Sequence, residues 1–169
     1  MTFDFSEFKN KKIIVTGSST GIGFETGVEF LNLGANVIFH GNQSINDLET
    51  RIKAKSQSQK FKIFKSDFTD LSQVDNFMNN AINYLNGLDI LVNNAGTMVG
   101  RYQLETISEK DFLKIFDLNA KSAYFATKSA CTIFKKQNYG NIINVSTISA
   151  RTGGSAGLSL IHISEPTRH

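Results

Sequence analysis

Cysteine is scarce in this chain. Cys131 stands alone among 169 residues, which rules out a disulfide framework and fits a reducing compartment. With Ala126, Ala130 and Phe134 nearby, the thiol is expected on an apolar helix face, as part of the core and not as a nucleophile. Long apolar runs are also missing, so no segment approaches the length of a membrane span. The opening residues Met1 to Phe5 include Asp4 and no hydrophobic signal region, which gives a cytoplasmic expectation. Charge of one sign is not concentrated. The net charge is +3, and the lysines are scattered apart from Lys9, Lys11 and Lys12, a cluster expected to coat the entry to a strand. Without a basic stripe, nucleic acid is excluded as a partner. No His/Cys/Asp grouping has the spacing of metal ligands. Proline occurs once, as Pro166, and His162 and His169 share the same stretch, so the last twelve residues differ in composition from everything before them.

What the chain does have is alternation. Short apolar runs rich in β-branched residues are predicted as strands at 12–16, 36–40, 61–65, 88–93 and 141–145. Ile13-Ile14-Val15, Ile90-Leu91-Val92 and Ile142-Ile143 are continuous apolar segments, as strands buried on both faces require. Between them lie predicted helices at 21–33, 44–55, 71–85, 108–118 and 120–136. The first carries Ile22, Val28, Phe30 and Leu31. The third places Val74, Phe77, Met78, Ala81 and Leu85 on one stripe, and the fourth opens on a capping box from Ser108 to Asp111. Strand and helix taking turns give βαβ units. The expected fold is therefore α/β, a Rossmann-like doubly wound parallel sheet of about five strands, in one domain over residues 1–157.

The segment Thr16-Gly17-Ser18-Ser19-Thr20-Gly21-Ile22-Gly23 joins the first strand to the first helix. Free N–H groups and the positive dipole end of a helix attract a pyrophosphate. Gly17 is expected to permit the tight turn, Gly21 to let phosphates approach, and Gly23 to let the helix pack close to the sheet. The spacing is Gly-x-x-x-Gly-x-Gly. Three further segments follow in order: Asp67-Phe68 after the third strand, Asn93-Asn94-Ala95-Gly96 after the fourth, and Asn144-Val145-Ser146-Thr147 ending the fifth. Together these four motifs resemble the short-chain dehydrogenase/reductase family, over about residues 7–157.

The resemblance implies a nicotinamide dinucleotide cofactor and a small-molecule alcohol or carbonyl substrate, with hydride passing directly between them. It implies a cofactor site of Gly17, Ser19, Thr20, Gly21, Ile22, Gly23, His40, Asp67, Phe68, Asn94, Ala95 and Gly96. Asn119 matches the family's proton-relay asparagine. Thr147 matches its catalytic serine, with Ser146 as the alternative. The second strand ends Phe39-His40-Gly41-Asn42, with no carboxylate to accept from the ribose 2′-hydroxyl of NAD. The expectation therefore leans to NADP over NAD. No Arg or Lys stands there to pair a 2′-phosphate; His40 would help only if protonated, and is otherwise expected as a partly buried strand residue. Relatives of this kind are often homo-oligomers.

One family element is absent. The Tyr-x-x-x-Lys pair would fall near Leu160 or Ile161, and no tyrosine follows Tyr139. Residues 158–168 resemble the translation of a transposon-end sequencing adaptor, so 158–169 are expected to be a foreign tail, disordered and unrelated to function. The reading is expected to have been cut just before the pair, leaving an inactive fragment of an oxidoreductase. The alternative is a non-catalytic dinucleotide-binding or sensor protein that lost the pair naturally.

Overall fold

A computed structural model describes residues 4–43, 45–98, 100 and 105–147. The elements are β1 (Lys12–Val15), α1 (Gly21–Asn32), β2 (Asn36–Gly41), α2 (Leu48–Lys55), β3 (Phe61–Lys65), α3 (Leu71–Leu85), β4 (Ile90–Asn93), α4 (Glu109–Phe116), α5 (Ser122–Gln137) and β5 (Asn141–Asn144). All five strands pair in parallel, in the order β3-β2-β1-β4-β5. The chain fills one side of β1 with β2 and β3, then crosses back to place β4 on the other side. Where the winding reverses, the loops after β1 and β4 leave the sheet side by side, which is where open α/β sheets bind ligands.

Two apolar layers cover the sheet. Ile13, Val15, Val37 and Phe39 pack with Phe24, Val28 and Leu31 of α1 and Leu48 and Ile52 of α2. Ile14, Ile38 and Leu91 pack on the other face with Val74, Phe77, Met78, Ala81 and Leu85 of α3 and Ala126 and Ala130 of α5. Alternate residues of one strand thus enter opposite layers, which is why the strands read as unbroken apolar runs. Each such side chain contributes roughly 1.5–3 kcal/mol by leaving water.

Several expectations need correction in detail. The buried stripe of α1 is Phe24, Val28 and Leu31, while Ile22 stands 69% exposed at the helix mouth. The close approach of helix to sheet falls at Gly27, where a Cβ would lie 2.5 Å from the Phe39 ring. Cys131 is half-buried, one position round from the fully buried Ala130. The two predicted helices flanking Asn119 are one continuous helical run, α4 and α5 joined by a π-helical turn over Asp117–Lys121. No glycine or proline interrupts it. The second predicted helix starts at Leu48, and Ser44 lies outside the described residues, as do Arg151 to Gly157 and the tail 158–169.

Within the described residues β5 lies at the sheet's end, with Ile143 40% and Val145 37% exposed. An uncovered parallel edge with apolar side chains recruits other chains. The 169-residue chain, expressed alone, is expected to self-associate in sedimentation or light-scattering measurements. A cooperative, concentration-independent melt of a monomer would show that expectation to be wrong.

Candidate functional site: a cleft at the strand ends

The loops after β1 and β4 are tied together by one hydroxyl and one amide. Thr16, 1% exposed, accepts the backbone N–H groups of Asn94 (3.0 Å) and Ala95 (2.9 Å) on its Oγ1. The Asn94 side chain donates through Nδ2 to the carbonyls of Thr16 and Gly17, both at 3.0 Å. This clasp needs glycines around it. A Cβ on Gly23 would lie 2.2 Å from Asn94 Nδ2, and one on Gly17 would lie 2.7 Å from Ala95 Cα. Gly23 therefore makes room for Asn94 and not for the sheet. Gly17 and Gly21 both adopt left-handed backbone, at φ +61° and +58°. Open space faces Gly21 where a side chain would project.

The start of α1 differs from those of α3 and α4. Asp70 accepts the Ser72 N–H of α3, and Ser108 accepts the Asp111 N–H of α4. At α1 the N-cap Thr20 makes no side-chain capping bond, and neither does Asp47 at α2; of these two starts, α1 is the one that follows the glycine-rich turn. The donors of this first turn are thus left for an outside acceptor, and the dipole favours an anion. A cleft of about 350 Å³ opens beside them, lined by Ser19, Thr20, Asn42, Asp67, Ala95 and Gly96 among others.

At the far end of β2, His40 is only 3% exposed. Gly17 N–H donates to its Nδ1 at 2.9 Å. Nε2 therefore carries the proton, and it donates to the Ser66 carbonyl at 3.1 Å. Burial pushes the imidazole down to about 4, against the opposing pull of the Ser66 carbonyl and the Asp67 carboxylate. His40 is thus neutral at physiological pH, and the idea that it pairs a 2′-phosphate as a cation is corrected. Nor is there room beside it for the carboxylate that selects NAD. A Cβ on Gly41 would lie 2.7 Å from Ser19 Cβ and 2.8 Å from Ile45 Cγ2.

Asp67 and Phe68 divide their roles. The Phe68 ring is buried, stacked on His40 with centroids 3.9 Å apart and edge-on to Phe77 at 5.2 Å. Its ring is therefore not a free stacking surface. Asp67 lines the cleft and accepts from the Thr69 amide (2.9 Å) and hydroxyl (2.8 Å). Partial burial would raise its carboxyl, but these bonds, one from Asn42 and the nearby Lys114 ammonium together hold it below the usual range.

Asn119 occupies the π-helical turn, 8% exposed. Its Oδ1 accepts Thr97 N–H and its Nδ2 donates to the Thr97 carbonyl, both at 2.8 Å. Both ends of the amide are engaged, so the side chain staples the loop after β4 to the helix. Ser146 and Thr147 follow β5, both exposed. Sequence reasoning assigned no role to Thr16, Ser18, Thr97 or Lys114. A hydroxyl between an apolar strand and a glycine marks Thr16, whereas nothing separates Lys114 from the other lysines of the chain. Among the described residues no group of three or more His, Cys, Asp or Glu side chains is placed to hold a metal ion. No described helix is long and apolar enough to cross a membrane.

Comparison with known proteins agrees with this geometry. A family profile described as short chain dehydrogenase matches residues 11–159, and the chain belongs to that family. It is 30% identical over 142 residues to a probable NADP-dependent mannitol dehydrogenase of Yarrowia lipolytica, covering 83% of this chain and 51% of that protein. It is 32% identical over 159 residues to a 3alpha-hydroxysteroid dehydrogenase of Mediterraneibacter gnavus, covering 90% of this chain and 62% of that one. The chain thus spans between half and two thirds of these relatives. The crystal structure of the NADH-dependent reductase A1-R′ complexed with NAD superposes with a TM-score of 0.84 at 29% identity, over 95% of this chain and 69% of that one.

Two outcomes are expected for the protein. Gly23→Ala should displace Asn94 and cost about 1–3 kcal/mol in urea unfolding, as over-packing does, and a wild-type midpoint would contradict the clasp. His40 supplies the pH dependence. Its folded pKa of about 4 lies below its ordinary 6.5, so its contribution is full above pH 6.5 and is lost as pH falls from 6.5 to 4. Stability is expected to drop by about 2–3 kcal/mol between pH 7 and 4.5. His40→Asn should flatten that slope, and an equally steep slope in that variant would remove His40 as its source.

Proposed function

We propose that the whole protein is an NAD(P)-dependent oxidoreductase that interconverts an alcohol and a ketone or aldehyde, and that this chain holds its dinucleotide-binding half. The observation that carries the reading is the uncapped start of α1, opening on the cleft beside the Thr16–Asn94 clasp. When bound, the cofactor gives or takes up the hydride. The chain's own residues bind and orient it.

Gly17, Ser19, Thr20, Gly21 and Gly23 form the turn that would receive the pyrophosphate, with the exposed Ile22 at its lip. Asp67, with the Phe68 backbone, would take the adenine. Asn94, Ala95 and Gly96 would border the nicotinamide ribose. The lean to NADP rests on the neutral strand end at Gly41 and Asn42, where packing against Ser19 leaves no space for a carboxylate. For catalysis, Thr147 would hydrogen-bond the substrate oxygen, with Ser146 as the alternative. Asn119 would serve a proton relay through its main chain, since its side chain is held by Thr97.

The general acid/base tyrosine and its lysine are not found after residue 139 of this sequence. The chain as written is therefore proposed to be inactive, with residues 158–169 a foreign tail. The same observation favours the second reading, a non-catalytic dinucleotide-binding or sensor protein. The complete protein is proposed to be a cytoplasmic homo-oligomer.

Fluorescence titration of the full-length protein with NADPH and NADH tests the reading. Both nucleotides should bind, NADPH more tightly, and turnover should accompany binding. Thr147→Ala should lower kcat about 10²–10³-fold, and Thr147→Ser should retain it. Binding without turnover on any carbonyl substrate would favour the sensor reading, and failure to bind either nucleotide would overturn both.

A further inference from the structure

His40 is the one buried titratable group at the cleft that the proposed chemistry does not use. Its contacts reach both ends of the binding surface. On one side its Nδ1 accepts Gly17 N–H at 2.9 Å, and its own backbone N–H donates to Ser18 Oγ at 2.8 Å. Ser18 in turn donates to the Val15 carbonyl at 2.7 Å. Ring and backbone of one residue thus brace the glycine-rich turn from beneath. On the other side Nε2–H donates to the Ser66 carbonyl, and the ring stacks on Phe68. Ser66 and Phe68 flank Asp67, the cleft's carboxylate.

We propose that His40 is a positioning residue for the dinucleotide. Its neutral imidazole ties the glycine-rich turn after β1 to the segment after β3 and so fixes the two ends of the cofactor site at one separation. The inference rests on the nucleotide-binding reading above and goes beyond it, because His40 acts here through Gly17 and not by touching a phosphate. Among the described residues, the Gly17 N–H is held by His40 Nδ1. The bond is part-buried, and an N–H that loses its acceptor where water reaches it poorly is costly. An apolar ring at position 40 would keep the stacking on Phe68 but remove the acceptor. An asparagine would lose the stacking but offer Oδ1 where Nδ1 stands.

The test uses the full-length protein, two variants and two ligands. His40→Phe should weaken NADPH binding about tenfold at pH 7.5, the effect of losing one buried hydrogen bond. Binding of adenosine 2′-monophosphate, which has no pyrophosphate, should change by less than about twofold. A general loss of structure would weaken both ligands together. His40→Asn should restore NADPH affinity to within about threefold. Wild-type NADPH affinity in His40→Phe, parallel weakening of both ligands, or no rescue by asparagine would each overturn the proposal. Nitrogen-15 NMR of the wild-type imidazole gives a readout independent of ligand and of variant folding. The proposal requires a proton on Nε2 and none on Nδ1, and the opposite tautomer would overturn it. If the wild type binds neither ligand while the tautomer is as expected, the functional reading fails and the tie between turn and strand stands.

Discussion

The hydroxyl of Thr16 organises the C-terminal edge of the sheet. It accepts two backbone amides from the loop after β4, while Asn94 returns two bonds to the carbonyls of the turn after β1. These two loops are far apart in sequence and meet only because β1 and β4 are neighbours. Without the tie, two glycine-containing loops would leave adjacent strands with unpaired backbone groups at the mouth of the cleft. With it, those groups are paired internally, and what remains unpaired is the first turn of α1. The site is thus defined by satisfaction on one side and its absence on the other.

That arrangement also settles the electrostatics of the cleft. Attraction for an anion comes from backbone dipoles, not from charged side chains. The strand end next to the turn is neutral, with Gly41 pressed against Ser19 and His40 held uncharged by burial. The carboxylate at the other end, Asp67, is kept ionised by hydrogen bonds from Thr69 and Asn42 and by Lys114. A polar, weakly charged pocket of this kind discriminates by hydrogen-bond geometry and shape more than by net charge.

Much of this was legible in the sequence because it depends on period and order. The apolar runs gave the strands, the stripe from Val74 to Leu85 gave α3 residue for residue, and the four ordered motifs gave the family. What was not legible depends on contacts between distant positions. Ile22 reads as a core residue of an amphipathic helix, yet it stands exposed because the helix starts at the mouth of the site. Asn119 reads as a helix end, yet the helix continues, because Thr97 supplies the backbone partners that an asparagine inside a helix otherwise takes from its own turn. His40 reads either as a partly buried strand residue or as a cation, and the first reading holds once Gly17 and Ser66 are seen on its two nitrogens.

The strand order has a kinetic side as well. On emergence from the ribosome, β1 can pair with β2 across a short helix, and β3 can then extend that half of the sheet. The opposite edge of β1 stays unpaired until β4 arrives, with 77 residues separating Lys12 from its β4-side partner Asp89. Closing so long a loop is slow compared with forming neighbouring βαβ units. During that interval Ile13, Ile14 and Val15, each fully buried in the finished molecule, present an open edge to any other nascent chain. The centre of the final sheet is therefore an open edge for part of the time the protein is being made.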